Sequence, residues 1–228
     1  MNTSSKVTRV ALFDFCGTLV NFQTGDAFVK FVLGDLTEEN FSSQQKENNE
    51  NGKSLIHMLH DVVFSTPLSK TLLAKRIKDI QSSFVDRKAK EYATKLLYPN
   101  IIKETWDLLN ECRKNEMYVV LVSAAYGVYL NEFSKRAMFD AILSSNLGIK
   151  NGKMTGKIID DTVGKRKVAR VKKYLNAKFG KNGYVIEISV GDSKSDMPIL
   201  DLAKKAIVIS KKHQPWVKNN YEEIIYEH

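Results

Sequence analysis

Cysteine is nearly absent. Cys16 and Cys112 are the only two in 228 residues, too few for a disulfide framework in a chain of this length, which suits a reducing compartment. Residues Met1 to Lys6 lack the long apolar stretch of a secretory signal, and the longest weakly polar run, Met117 to Ala125, is too short to span a bilayer. A soluble, cytoplasmic protein without a membrane partner is expected. Histidine is scarce as well: His57 and His60 stand one helical turn apart beside Asp61, but no third ligand of suitable spacing accompanies them, so a zinc-type site is not expected. Internal repeats and low-complexity linkers are missing too. What the chain does have is 43% hydrophobic residues, enough to bury a full core as one large domain or a domain with a sizeable insert.

The net charge of +9 speaks to solubility and steering rather than to chemistry. Its densest basic stretch, Lys165 to Lys181, contains no acid. Only Tyr174 and Phe179 interleave it, and they suit a core face, so nucleic acid is not the expected partner. The same charges could draw an anionic small molecule toward a cleft.

The run Val7 to Phe13 is short, apolar and β-rich, and reads as a buried parallel strand. Residues 24 to 98 contain no convincing strand. Phe28, Phe31 and Val32, then Leu55, Met58, Leu59 and Val62, recur at helical spacing, and Pro67 leads into a long helix or a helix pair over Leu68 to Lys95. Glu38 to Lys53 is polar, an exposed helix or a loop. From Tyr98-Pro99 onward helices and strands alternate: helix Ile101–Asn115, strand Met117–Ser123, helix Val128–Ala137, strand Asp140–Ser145, helix Lys167–Phe179, strand Tyr184–Val190, helix Ser195–Lys204 and strand Ala206–Ile209. That order belongs to a parallel α/β sheet. Asn151-Gly152 marks a type I′ hairpin, Trp106 and Trp216 fit helix packing, and Tyr221 to His228 reads as a short final helix or a tail.

Chemistry is expected at Asp14, at the carboxyl end of the first strand beside the Gly17 turn, because open α/β sheets place their sites just beyond such strand ends. Val119 to Val122 deliver Ser123, whose hydroxyl, with the following Ala124 N–H, could bind a phosphoryl oxygen, or could simply cap a helix. Gly191-Asp192 follows another strand, with Asp196 four residues on; the pair could supply oxygen ligands to Mg²⁺ or form an ordinary Asx turn. Between these, Lys167, with Lys165 as the alternative, could place an ammonium against a carboxylate and an anionic substrate.

The series Asp14-Phe15-Cys16-Gly17-Thr18, Ser123, Gly164-x-x-Lys167 and Gly191-Asp192-Ser193-x-x-Asp196-Met197-Pro198 resembles the haloacid dehalogenase superfamily, in particular its phosphoserine phosphatase-like branch. The resemblance implies a doubly wound, Rossmann-like core over residues 1–20 and 99–228, with a helical cap over 21–98. It implies a Mg²⁺-dependent phosphatase in which Asp14 attacks phosphorus and forms an aspartyl-phosphate. The metal would be held by Asp14, the Cys16 backbone carbonyl and Asp192, with Asp196 completing the network. Gly17, Thr18, Ser123 and Ala124 would bind the phosphoryl group of a small phosphorylated metabolite, and Lys167 would screen charge.

One position departs from that pattern. Cys16 stands where the family places a second acid. A cysteine-nucleophile phosphatase would need an arginine six residues later, where Phe22 is found, and nothing after Cys16 would lower its pKa. Loss of a placed acid should slow hydrolysis of alkyl esters more than of aryl esters. The alternatives within the fold are a dehalogenase or a phosphonatase, the latter needing a cap lysine such as Lys30, Lys53, Lys70 or Lys75, or a catalytically weakened binding protein.

Overall fold

The structure, a computed structural model, describes residues 7–37, 39–41, 67–162 and 165–227. Leu55, His57, Met58, Leu59, His60, Val62 and Lys53 lie outside the described residues. Seven strands form one sheet: β1 (Thr8–Phe13), β2 (Tyr118–Tyr126), β3 (Ala141–Lys150), β4 (Lys153–Asp160), β5 (Tyr184–Gly191), β6 (Lys205–Ser210) and β7 (Tyr221–Ile225), in the order β4-β3-β2-β1-β5-β6-β7. All neighbours run parallel except β3 and β4. The chain therefore winds outward from β1 in both directions, and the switch point of the sheet lies at the carboxyl end of β1, where such folds open a crevice.

The helices are α1 (Thr24–Leu33), α2 (Pro67–Arg76), α3 (Ser82–Tyr92), α4 (Lys103–Lys114), α5 (Gly127–Ala137), α6 (Lys165–Phe179) and the short α7 (Met197–Leu200). They cover both faces of the sheet, and the strand period of two sorts the core accordingly. Val10 and Leu12 of β1, with Val120 and Val122 of β2, pack against Val171 and Leu175 of α6. Ala11 and Phe13, with Val119 and Leu121, face the opposite side, in a cluster that also takes in Phe28, Tyr92, Tyr129 and Phe133 from α1, α3 and α5. Apart from isolated β-bridges at Cys16, Val20 and Gln81, the regular elements described between β1 and α4 are helices, as the spacing predicts, and they share this cluster with the sheet.

The hairpin at Asn151-Gly152 forms as its sequence predicts: both residues have positive φ, 51° and 74°, the conformation a type I′ turn requires. Three backbone hydrogen bonds fasten the segment after α2 to it. Asp79 N donates to Met154 O (2.9 Å), Met154 N to Ile80 O (2.8 Å) and Ser82 N to Gly152 O (2.8 Å). Gly156, at φ +70°, lets α2 pass so close that a Cβ there would lie 3.2 Å from Lys75 Cα.

Three expectations need correction. The stretch 195–204 is a 3₁₀ turn over Lys194–Asp196 followed by the four-residue α7, because Lys204 N, just before β6, already donates to Ile186 O of β5. Tyr221 to Ile225 is neither helix nor tail but a parallel edge strand on β6. Trp216 lies in a turn before β7 and packs with Met197 on a small third cluster. Among the described residues no helix is long and apolar enough to cross a membrane.

Candidate active site

The β1 backbone carries Asp14 to the switch point. Phe13 pairs with Leu121 on one side and Val190 on the other, and Asp14 N donates to Val190 O (3.0 Å). Ser123 and Asp192 each stand two residues beyond those partners, so all three positions gather at one end of the sheet. The even-numbered residues of β1 face α6, and that helix supplies the ammonium. Lys167 Nζ donates to Asp14 Oδ1 (2.8 Å) and to Asp196 Oδ1 (2.6 Å), with all three groups buried. Of the two lysines left open by the sequence, Lys167 is thus the one that meets Asp14; α6 begins at Lys165.

Asp196 is held from behind. Its Oδ2 accepts from Ser193 Oγ (2.7 Å) and Ser193 N (3.3 Å), a reciprocal capping arrangement at the start of the 3₁₀ turn. Asp192 Oδ1 accepts from Thr18 Oγ1 (3.3 Å). Gly17 makes that approach possible. It has φ +72°, and a Cβ on it would lie 2.2 Å from Asp192 Oδ2, so any side chain there would drive the carboxylate out. Ser123 Oγ is buried and accepts from Ala125 N (3.3 Å), while Ala124 is half-buried beside it. Rather than ending at Ser123, β2 runs on to Tyr126.

One carboxylate oxygen from each of Asp14, Asp192 and Asp196 lies within 4.8 Å of the others. Among the described residues, the ammonium in contact with this group is that of Lys167, on Asp14 and Asp196. Burial raises the Asp14 carboxyl to about 6, with the Asp196 charge adding to the rise and Lys167 opposing it. Asp192 is pushed well above the ordinary carboxylate range by burial and then by the charges of Asp14 and Asp196. Burial alone would lower the Lys167 ammonium, but Asp14 and Asp196 outweigh it and hold the group raised and charged. Hard oxygen donors, close together, with more negative charge than the protein neutralises, fit a divalent cation such as Mg²⁺.

Cys16 does not aim an ionisable group at this cluster. Its Sγ lies 3.0 Å from Thr24 Oγ1, which lies 2.7 Å from the buried Tyr129 hydroxyl. Burial, then the Asp14 charge, pushes the thiol up to about 12. The thiol belongs to the aromatic wall under α1.

Sequence reasoning left one group undistinguished. Lys70 of α2 is half-buried and reaches the sheet: its Nζ donates to Ser145 Oγ (2.6 Å) and Asp161 Oδ1 (3.0 Å) and sits 5.8 Å from the centre of the Tyr126 ring. Lys30 instead pairs with Asp26 near the surface, and Lys75 is exposed. A signal for the acid partner was available, since Asp161 directly precedes the stretch leading to Lys167. None existed for Lys70 itself, whose partners are 75 and 91 residues away.

None of the curated protein sequences compared with the chain matches it. Solved structures do. A protein of unknown function from Bordetella pertussis Tohama I superposes with a TM-score of 0.68 at 16% identity, over 90% of this chain and 91% of that one. Phosphoserine phosphatase in its apo form gives 0.61 at 19%, over 96% and 93%. A phospho-aspartyl intermediate analogue of phosphoserine phosphatase gives 0.56 at 19%, over 90% and 87%. At these identities the likeness is one of fold, a seven-stranded, mostly parallel Rossmann-like sheet with helices on both faces. The sequence profile of haloacid dehalogenase-like hydrolases matches residues 11–201, a span that holds every carboxylate and the lysine of the cluster. The chain belongs to the haloacid dehalogenase-like hydrolase family.

Proposed function

We propose that this hydrolase is a Mg²⁺-dependent phosphatase that cleaves a small-molecule phosphomonoester through an aspartyl-phosphate at Asp14. The observation that carries this reading is the Lys167 bridge between Asp14 and Asp196 inside a buried cluster of three carboxylates at the switch point of the sheet. Such an arrangement holds a carboxylate ready beside a fixed positive charge, which is what attack on a dianionic phosphoryl group needs.

In this reading the Asp14 carboxylate attacks phosphorus and the ester oxygen leaves; water then cleaves the acyl phosphate and restores the carboxylate. Lys167 stays charged throughout, held by Asp196, and screens the phosphoryl oxygens. Ser123 Oγ, the Ala124 N–H, Gly17 and Thr18 bind those oxygens. Asp14, Asp192, the Cys16 carbonyl and Asp196 would hold the metal, which when bound would supply neutralising charge to the transferring group. Residues 21–98 form a helical cap, which fits the helices described there and the reach of Lys70 onto β3. The free thiols of Cys16 and Cys112 suit a reducing, cytoplasmic setting. Serine phosphate is one candidate among small phosphorylated metabolites, given the phosphoserine phosphatase folds above.

The test is phosphate release across a panel of phosphorylated metabolites with and without Mg²⁺, using Asp14→Asn as the blank. Mg²⁺-dependent release that vanishes in the blank supports the reading. Release that survives in the blank assigns the wrong nucleophile, and release of chloride or an aldehyde instead would move the reaction to a C–Cl or C–P bond.

A further inference from the structure

Position 16 raises a question the cluster does not answer: which group protonates the departing oxygen. The Cys16 sulfur is turned toward Thr24 and Tyr129, Lys167 is locked between two carboxylates, and both oxygens of Asp196 are already engaged. Lys70 is different. It comes from α2, whose Leu73 packs in the core cluster on the opposite face of the sheet from α6, and ends beside Ser145, the residue of β3 that pairs with Tyr126 of β2, three positions past Ser123. Its side chain is 15% exposed and that of Asp161 14%. Its Nζ lies 5.8 Å from the centre of the Tyr126 ring, on the strand that carries Ser123. Burial lowers its pKa from the ordinary lysine value, with Asp161 opposing, so it gives up a proton more readily than a surface lysine.

Asp161 and Ser145 bind Lys70, the Tyr126 ring lies under it, and Arg166 of α6 reaches the other Asp161 oxygen at 3.5 Å. The three backbone hydrogen bonds between the 79–82 segment and the β3–β4 hairpin hold α2 in place, so the amine sits on a fixed element rather than a loose loop.

We propose that Lys70 is the proton donor to the leaving oxygen, taking the place of the acid that position 16 lacks, with Asp161 and Ser145 orienting its ammonium. The inference rests on the aspartyl-phosphate reading above. As the ester P–O bond breaks and Asp14 bonds to phosphorus, the Lys70 ammonium passes one proton to the departing oxygen, giving an alcohol and a neutral amine. The amine then takes a proton from the water whose oxygen attacks the acyl phosphate. That step releases phosphate, restores the Asp14 carboxylate and returns Lys70 to its ammonium form.

The experiment compares kcat/KM for phosphate monoesters of falling leaving-group acidity, 4-nitrophenyl, phenyl and ethyl phosphate, in the full-length Mg²⁺-loaded protein. Lys70→Met should lower the ethyl-to-nitrophenyl ratio by about 100-fold, the range expected for loss of a general acid. Lys70→Arg keeps the charge and the Asp161 pair but cannot give up a proton near neutral pH, so it should lower the ratio similarly. Adding Cys16→Asp to Lys70→Met should restore the ratio to within about tenfold of the parent. Equal losses on all three esters, or a Lys70→Arg protein with the parent ratio, would reduce Lys70 to a latch between α2 and the sheet and overturn the proposal. If nitrophenyl phosphate is cleaved no better by the parent than by Asp14→Asn, the aspartyl-phosphate reading itself fails, and Lys70 as donor falls with it. Circular dichroism and melting of each variant show that the ratios come from folded protein.

Discussion

Replacing Asp192 with asparagine should make the metal-free protein more stable while abolishing its response to Mg²⁺. Two unit charges 4.8 Å apart, the outer separation within the Asp14, Asp192 and Asp196 group, repel by about 3.5 kcal/mol at an effective dielectric constant near 20. Part of that is already relieved, because burial and the charges of Asp14 and Asp196 hold Asp192 well above the ordinary carboxylate range. A gain of about 1–2 kcal/mol remains, or roughly 2–8 °C in melting temperature for a chain of this size. The amide keeps an oxygen to accept from Thr18, so no hydrogen bond need be lost. The sign follows from linkage. A carboxyl whose folded pKa lies above its unfolded value favours the folded chain while protonated, and loses that contribution as pH rises through the folded value. The advantage of Asp192→Asn should therefore be largest above neutral pH and vanish toward pH 4. The assay is thermal melting in a chelator from about pH 4 to 8 and again in millimolar Mg²⁺, where a bound ligand at a hundred times its Kd adds about 2.7 kcal/mol to the parent. A variant that melts below the parent in chelator at pH 8, or one that Mg²⁺ stabilises as much as the parent, would refute the electrostatic account of the site.

Lys167→Met leaves Asp14 and Asp196 buried without their cation and should cost about 3–5 kcal/mol, read as a fall in melting temperature that acidification partly reverses. Gly17→Ala should cost about 1–2 kcal/mol for the left-handed backbone. By displacing Asp192 it should also lower phosphate release by about 100-fold, since ångström-scale misplacement has effects of that order; near-parental release would show that Gly17 is not needed for the approach. Burial holds the Cys16 and Cys112 thiols at about 12 and about 11, so a disulfide reagent at pH 8 should modify less than about one-tenth of them until denaturant is added. Rapid labelling of Cys16 in the native protein would contradict its place in the Thr24–Tyr129 wall.

The parts of this molecule readable in its sequence are those fixed by short-range chemistry. The apolar run ending at Asp14 needs nothing remote to read as a buried strand, and Asn151-Gly152 needs only the positive φ that those residues tolerate. Asp192 and Asp196 could be paired with Asp14 because strand ends of a doubly wound sheet converge. The choice between Lys165 and Lys167 was not legible, since it turns on which face of α6 meets β1. Tyr221 to Ile225 was misread because five residues of mixed polarity acquire strand character only by pairing with β6. The extent of α7 was overestimated because its end is set by the Lys204 hydrogen bond to β5, a partner 18 residues earlier in the chain. Lys70 carries no local mark at all, and what singles it out is contact with residues of two distant strands, Tyr126 and Ser145.

The edge position of β7 has a bearing on how this protein should be handled. Because that ribbon is the outermost rung of the sheet, shielding Ala206 to Ser210 on one flank, a version shortened before Tyr221 would leave an apolar row of amides and carbonyls open to docking by a neighbouring chain. Recombinant forms that trim those residues should precipitate or self-associate even though every group in the crevice is intact.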